Sequence, residues 1–99
     1  MTPLHDIQKR LETATNPVAL AIHKGENFKV LAIGFKKGMV MREHKTNRPA
    51  VLTVFSGKVL YKMDSQEITL SMYDEQQIPV DHIHSVEALE DSLCLLTQG

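Results

Sequence analysis

An excess of positive charge is the first thing this sequence lacks. Eleven Lys and Arg stand against twelve Asp and Glu, a formal net charge of −1, so no basic field exists to gather nucleic acid or anionic lipid. Long hydrophobic runs are missing too. No stretch approaches the ~18 apolar residues of a membrane helix, and the opening residues do not read as a signal peptide. Cys94 is the single cysteine, which excludes an intrachain disulfide and fits a reducing cytosol, so a cytoplasmic location is expected. Within the run Leu93-Cys94-Leu95-Leu96 that thiol is expected to be buried and inert. The chain has no nucleophile elbow, P-loop, dinucleotide fingerprint, C-x-x-C or H-E-x-x-H. Asp64 and Glu67 straddle a hairpin and Asp74-Glu75 sits in a turn, which leaves paired-carboxylate chemistry without support.

What is present is the texture of one small β domain. Ninety-nine residues with 42% hydrophobic and 23% charged side chains suit one soluble globular unit. Leu4, Ile7 and Leu11 fall at helical spacing behind Thr2-Pro3, an N-cap and first-turn pair, and Asn16-Pro17 is expected to end the helix. From Pro17 onward, short β-type runs alternate with turn residues. Strands are predicted near 18–23, 28–35, 39–43, 50–56, 58–63, 67–71, 76–79, 83–89 and 92–97. That density of short strands argues for a sandwich or barrel. The expected organisation is a helical segment over 1–16 and a β-barrel over 17–99, without repeats or linkers.

Several strands are apolar on both faces. Phe28, Val30 and Ala32 oppose Leu31, Ile33 and Phe35, and Ala50, Leu52 and Val54 oppose Val51, Thr53 and Phe55. A sheet with one wet face would alternate apolar with polar, so something covers the second face. The helix can cover part of it, and a second copy of the chain is expected over the rest, making a homodimer.

Two histidines forty residues apart, His44 and His84, carry the functional question. The first lies in Gly38, five residues, His44, Lys45, Thr46, three residues, Ala50, six residues, Gly57. The second lies in Pro79, Val80, Asp81, His82, Ile83, His84, with Ala88 four residues on. These stretches resemble the two cupin motifs: glycine, five residues, His-x-His, three or four residues, Glu, six residues, glycine; then glycine, five residues, Pro-x-Gly, two residues, His, three residues, Asn. Thr46 stands where the second histidine would be and Ala50 where the glutamate would be. Tyr73 and Asp81 take the two glycine positions of the second motif, and Ala88 takes the asparagine position.

The resemblance implies an all-β double-stranded β-helix, a jelly roll or cupin barrel with a short N-terminal helix, and a cavity between its sheets. It also implies a divalent metal (Fe, Mn, Ni or Zn) at His44 and His84, with His82 as a replacement ligand, although His82 follows the turn Pro79-Val80-Asp81 and reads more simply as a partly exposed loop histidine. In extended backbone His44 shares a face with Thr46, and His82 with His84. Glu43 and Glu87 are out of phase and should point away. A mononuclear centre takes three or four protein ligands, and two have changed here. The reading therefore favours a small-molecule-binding or sensing module with a reduced metal site, its cavity lined by Thr46, Ala50, Leu52 and Met41. A metal-dependent isomerase, oxygenase or decarboxylase is the alternative, and a protein-interaction module using the outer sheet face is a third. Arg42, Lys45 and Arg48 flank the first motif, as a solvated loop or a small-anion site. His5 and His23 are expected at the surface, and Met39 at the cavity mouth with Met41.

Overall fold

The computed structural model describes residues 2–44 and 47–99, with residues 43 and 44 described through their backbone only. A helix α1 (Pro3–Leu11) is followed by nine strands: β1 (Val18–Lys24), β2 (Lys29–Phe35), β3 (Val40–His44), β4 (Ala50–Ser56), β5 (Lys58–Met63), β6 (Gln66–Ser71), β7 (Glu75–Ile78), β8 (His84–Ala88) and β9 (Ser92–Gln98). They form two sheets, β1-β2-β9-β4-β7 and β3-β8-β5-β6. Among the described residues every ladder is antiparallel. No described helix is long and apolar enough to cross a membrane.

The helix ends at Leu11, with Glu12 as C-cap, before Asn16-Pro17. The break is already made when the proline arrives. Thr2 is at the N-cap but makes no capping bond; its hydroxyl pairs with His5 Nδ1 at 3.1 Å instead. Ile7 is fully buried, and Ile7 and Leu11 lie on Gly34 of β2, where any side chain would meet them. The helix therefore covers the outer face of β1 and β2, the two strands it contacts.

Period-two alternation sends Ile33, Phe35, Leu52, Val54, Val59, Tyr61, Val86, Cys94 and Leu96 inward to one cluster between the sheets. Burying a side chain of this size contributes about 1.5–3 kcal/mol. The two outer faces differ. Behind β5 and β8, Lys62 pairs with Glu67 and Glu87 at 3.7 Å each, and Lys58 with Glu90 at 3.9 Å, a solvated face worth little in stability. Behind β4 and β9 the outward residues include Val51, Leu93 and Leu95, all partly exposed, with Phe55 53% exposed.

Candidate functional site

His84 opens β8 and is 1% exposed. The β5–β8 register sets it opposite Met63, and the β3–β8 register sets it opposite the backbone of His44, after a shift between Met41 and His44. Directly opposed residues of an antiparallel pair share a face, which sets the Met63 side chain beside His84. Two residues back from Met63, Tyr61 is also inward and 1% exposed. Its ring is centred 6.0 Å from that of His84, tilted by 33°, and its hydroxyl donates to Met63 Sδ at 3.3 Å. Burial, with Asp64 nearby, raises the Tyr61 pKa above that of an ordinary phenol, so the group is held as a neutral donor.

His84 Nδ1 lies 3.2 Å from the carbonyl oxygen of His82. A carbonyl can only accept, so Nδ1 carries the proton and, in the neutral ring, the lone pair belongs to Nε2. His82 itself stands apart. A turn with Asp81 at φ 62° precedes it, and β8 begins only at His84, so His82 lies on the loop outside the strand, as the turn residues before it suggest. The His82 ring is 48% exposed and its Nδ1 lies 3.6 Å from Asp64 Oδ2 on the neighbouring hairpin.

The packing around these groups is aliphatic. Ala50 is 4% exposed, Leu52 is fully buried, and Met39, Met41 and Met63 pack against the same cluster. Where a glutamate would put a carboxylate, β4 supplies a methyl group. Glu87 points outward to Lys62; the side chains of Glu43 and His44 lie outside the described set, as does Thr46 altogether. Among the described residues no three His, Cys, Asp or Glu side chains converge as a metal-ligand set. The donors described do not fit a three- or four-ligand centre. Cys94 is fully buried, and burial pushes its thiol up to about 12, which makes it inert.

Tyr61 and Met63 escaped the sequence reading. The signal was available in Lys58-Val59-Leu60-Tyr61-Lys62-Met63, where alternation sends Val59, Tyr61 and Met63 to one face. The cross-strand pairing with His84 was not, because register depends on the whole sheet.

The backbone carries the deciding observation. At the four positions where the cupin motifs have glycine, φ is 88° at Gly38, 90° at Gly57, 74° at Tyr73 and 62° at Asp81. All lie in the left-handed region that glycine enters without penalty, and at two of them the conformation persists without the glycine. The chain has the cupin fold. Solved structures agree. A cupin superfamily protein from Desulfitobacterium hafniense matches with a TM-score of 0.80 at 17% identity, over 85% of this chain and 77% of that one. An RmlC-like cupin from Desulfovibrio desulfuricans matches at 0.79 and 25% identity, over 85% and 82%. A cupin 2 conserved barrel domain protein from Leptotrichia buccalis matches at 0.79 and 23%, over 87% of this chain but 42% of its own. No protein-family model and no curated protein matches the chain. In this cupin-fold chain the backbone at all four glycine positions is kept, while the residues at two ligand positions, 46 and 50, are changed.

Proposed function

We propose that this cupin-fold protein binds a small molecule in its barrel interior, with Tyr61 and His84 as the polar groups that read it. The observation that carries the reading is the buried Tyr61 hydroxyl donating to a thioether, a weak acceptor. A ligand carbonyl or carboxylate oxygen placed there offers a better acceptor, and His84 stands beside it. Ala50, Leu52 and Met41 give the ligand an apolar wall, and Thr46 is the hydroxyl the first motif adds. The test is a thermal-shift screen of small carboxylic acids, aldehydes and amides against wild type and Tyr61→Phe. Ligands that stabilise wild type are expected to bind Tyr61→Phe about fivefold more weakly, the worth of one hydrogen bond of ~1 kcal/mol. Equal binding by both proteins would remove Tyr61 from the site.

A second reading, a metal-dependent enzyme holding a divalent ion on His44 and His84, with His82 as a third ligand, is favoured by one feature, the direct pairing of His44 with His84 across β3 and β8. Elemental analysis of untagged protein separates the two. Near one equivalent of Fe, Mn, Ni or Zn per chain, with turnover only in its presence, would replace the small-molecule reading. We also propose a homodimer, supported by the partly exposed Leu93, Leu95 and Phe55 beyond the helix and tested by light scattering, and a cytoplasmic location, which the single cysteine suits. A monomer at all concentrations would reject the dimer and leave that face to a different protein.

A further inference from the structure

At the end of the first sheet, outside the barrel interior, Phe28, Val51, Ile78, Pro79, Val80 and Thr97 line an open groove of about 640 Å³. We propose that this groove is a second binding site, for an uncharged, apolar small molecule. It stands independently of the interior reading.

Charge supports the choice of ligand. Eleven residues line the groove and none has an ionisable side chain, where a chain that is 23% charged would place about two or three by composition. An anionic ligand would lose its hydration here with no cationic side chain to replace it, whereas a neutral apolar one needs no such partner. Size agrees, since small-molecule sites run from about 300 to 1,000 Å³ and are mostly apolar. The few polar groups, among them Thr97, Gln77 and Gln98, carry no net charge and suit a hydroxyl or amide on the ligand.

The groove is also built in advance. Its floor includes Ala50 and Ile78, 4% and 2% exposed, both members of the core cluster. Its jaws, Phe28 and Val80, are 41% and 38% exposed. Phe28 is braced by the His23 ring at 5.1 Å and by its carbonyl accepting from Gly25 N at 3.0 Å. Pro49 accepts a bond from Gly99 N at 3.2 Å through its carbonyl, and Pro79 stiffens the opposite wall. A ligand entering such a site pays little for ordering the protein.

The test uses N-phenyl-1-naphthylamine, a neutral probe that fluoresces in apolar surroundings, with its anionic relative anilinonaphthalene sulfonate as the charge control. Saturable binding of one neutral probe per chain is expected, at least tenfold tighter than the anion. Val80→Glu, which puts a carboxylate into an exposed turn without touching the core, and Phe28→Ala should each weaken it tenfold or more. Backbone amide NMR locates the probe, with shifts expected at Val51, Val80 and Thr97. The proposal is overturned if Val80→Glu binds the probe as wild type does. Shifts centred on Tyr61, His84 and Val86 would move the ligand to the interior, and dissociation of a dimer by Val80→Glu would make the groove an interface between copies; either result also overturns it.

Discussion

Replacing Tyr73 with glycine should stabilise this protein relative to replacing it with alanine, the reverse of the usual order. Tyr73 sits at φ 74° in the turn between β6 and β7. The turn is held from both sides. Tyr73 N donates to Val54 O at 2.7 Å, and Ser71 N donates to Asp74 Oδ2 at 2.8 Å, so the backbone cannot relax to a negative φ without breaking the turn. A left-handed conformation costs an L-residue about 1–2 kcal/mol. Glycine removes that cost but loses about 0.5–1 kcal/mol in unfolded-chain entropy. Comparing Tyr73→Gly with Tyr73→Ala cancels the loss of a ring that is already 75% exposed, and leaves a net gain for glycine of roughly 0.5–1 kcal/mol. Met72 is the internal control, because it is 50% exposed and does not have a positive φ. There Met72→Gly should fall below Met72→Ala by about 0.5–1 kcal/mol. Urea unfolding resolves a swing of ~1–2 kcal/mol between the two positions with ease, and in a chain of this size 1 kcal/mol moves Tm by about 4–8 °C. If Tyr73→Gly is no more stable than Tyr73→Ala, the turn is not left-handed at Tyr73, and the argument that the cupin backbone outlives its glycines is wrong.

Three further outcomes follow from the same structure. Gly57→Ala and Gly38→Ala place a side chain at nearly the same φ, but the Cβ at 57 meets Ser92 Oγ and the Asp91 carbonyl while that at 38 meets open space; denaturant unfolding should show Gly38→Ala costing about 1–2 kcal/mol and Gly57→Ala at least 1 kcal/mol more. Ala50→Glu restores a carboxylate at a buried position and should cost roughly 2–4 kcal/mol in the presence of chelator. If His44 and His84 converge, zinc should recover much of that loss, and equal thermal shifts of wild type and variant with zinc would show that they do not. Cys94, buried with its thiol pushed up to about 12, should resist disulfide-exchange reagents until the protein unfolds. Because the folded thiol holds its proton longer than an unfolded one near 8.5, its contribution to stability is complete below that pH and declines as pH rises from there toward 12. A Cys94→Ala variant should show a flatter alkaline decline in urea midpoint, and an identical slope would exclude the thiol as its cause.

The strands were legible because each rests on local chemistry. Lys24-Gly25-Glu26-Asn27, Ser56-Gly57 and Asp64-Ser65 punctuate runs too short for helices, and all nine strands occur where those runs lie. The helix end was legible only to within a turn, since Asn16-Pro17 forbids continuation but does not require the helix to reach it. At the site the limit was different. His84 facing inward follows from the alternation His84, Val86, Ala88, each buried. The separation of His82 from His84 was legible in part, since Pro79-Val80-Asp81 marks a turn that leaves His82 on a loop, 48% exposed; the positive φ of Asp81 is one that aspartate tolerates but that no local pattern requires. Tyr61 beside His84 depends on β5 and β8 pairing across about twenty residues of intervening chain, information that no local pattern holds.

The contrast between Asp81 and Ala50 shows how such a fold can lose one property and keep another. A glycine-to-aspartate change at 81 costs on the order of 1–2 kcal/mol, which a domain stable by about 5–15 kcal/mol absorbs while its hydrogen bonds hold the turn. The sheet registers therefore survive, and with them the meeting of β3, β5 and β8 around His84. A carboxylate at 50 has no such tolerance. With a cation it is stabilised; without one it is a buried, unpaired charge. Alanine there removes the charge and joins the core cluster at no electrostatic cost. Without that carboxylate, the His84 imidazole and the Tyr61 phenol are hydrogen-bonding groups in an aliphatic interior, the combination on which the proposed small-molecule reading rests. The fold sets where chemistry can happen in this protein, and the few side chains at its centre decide which kind.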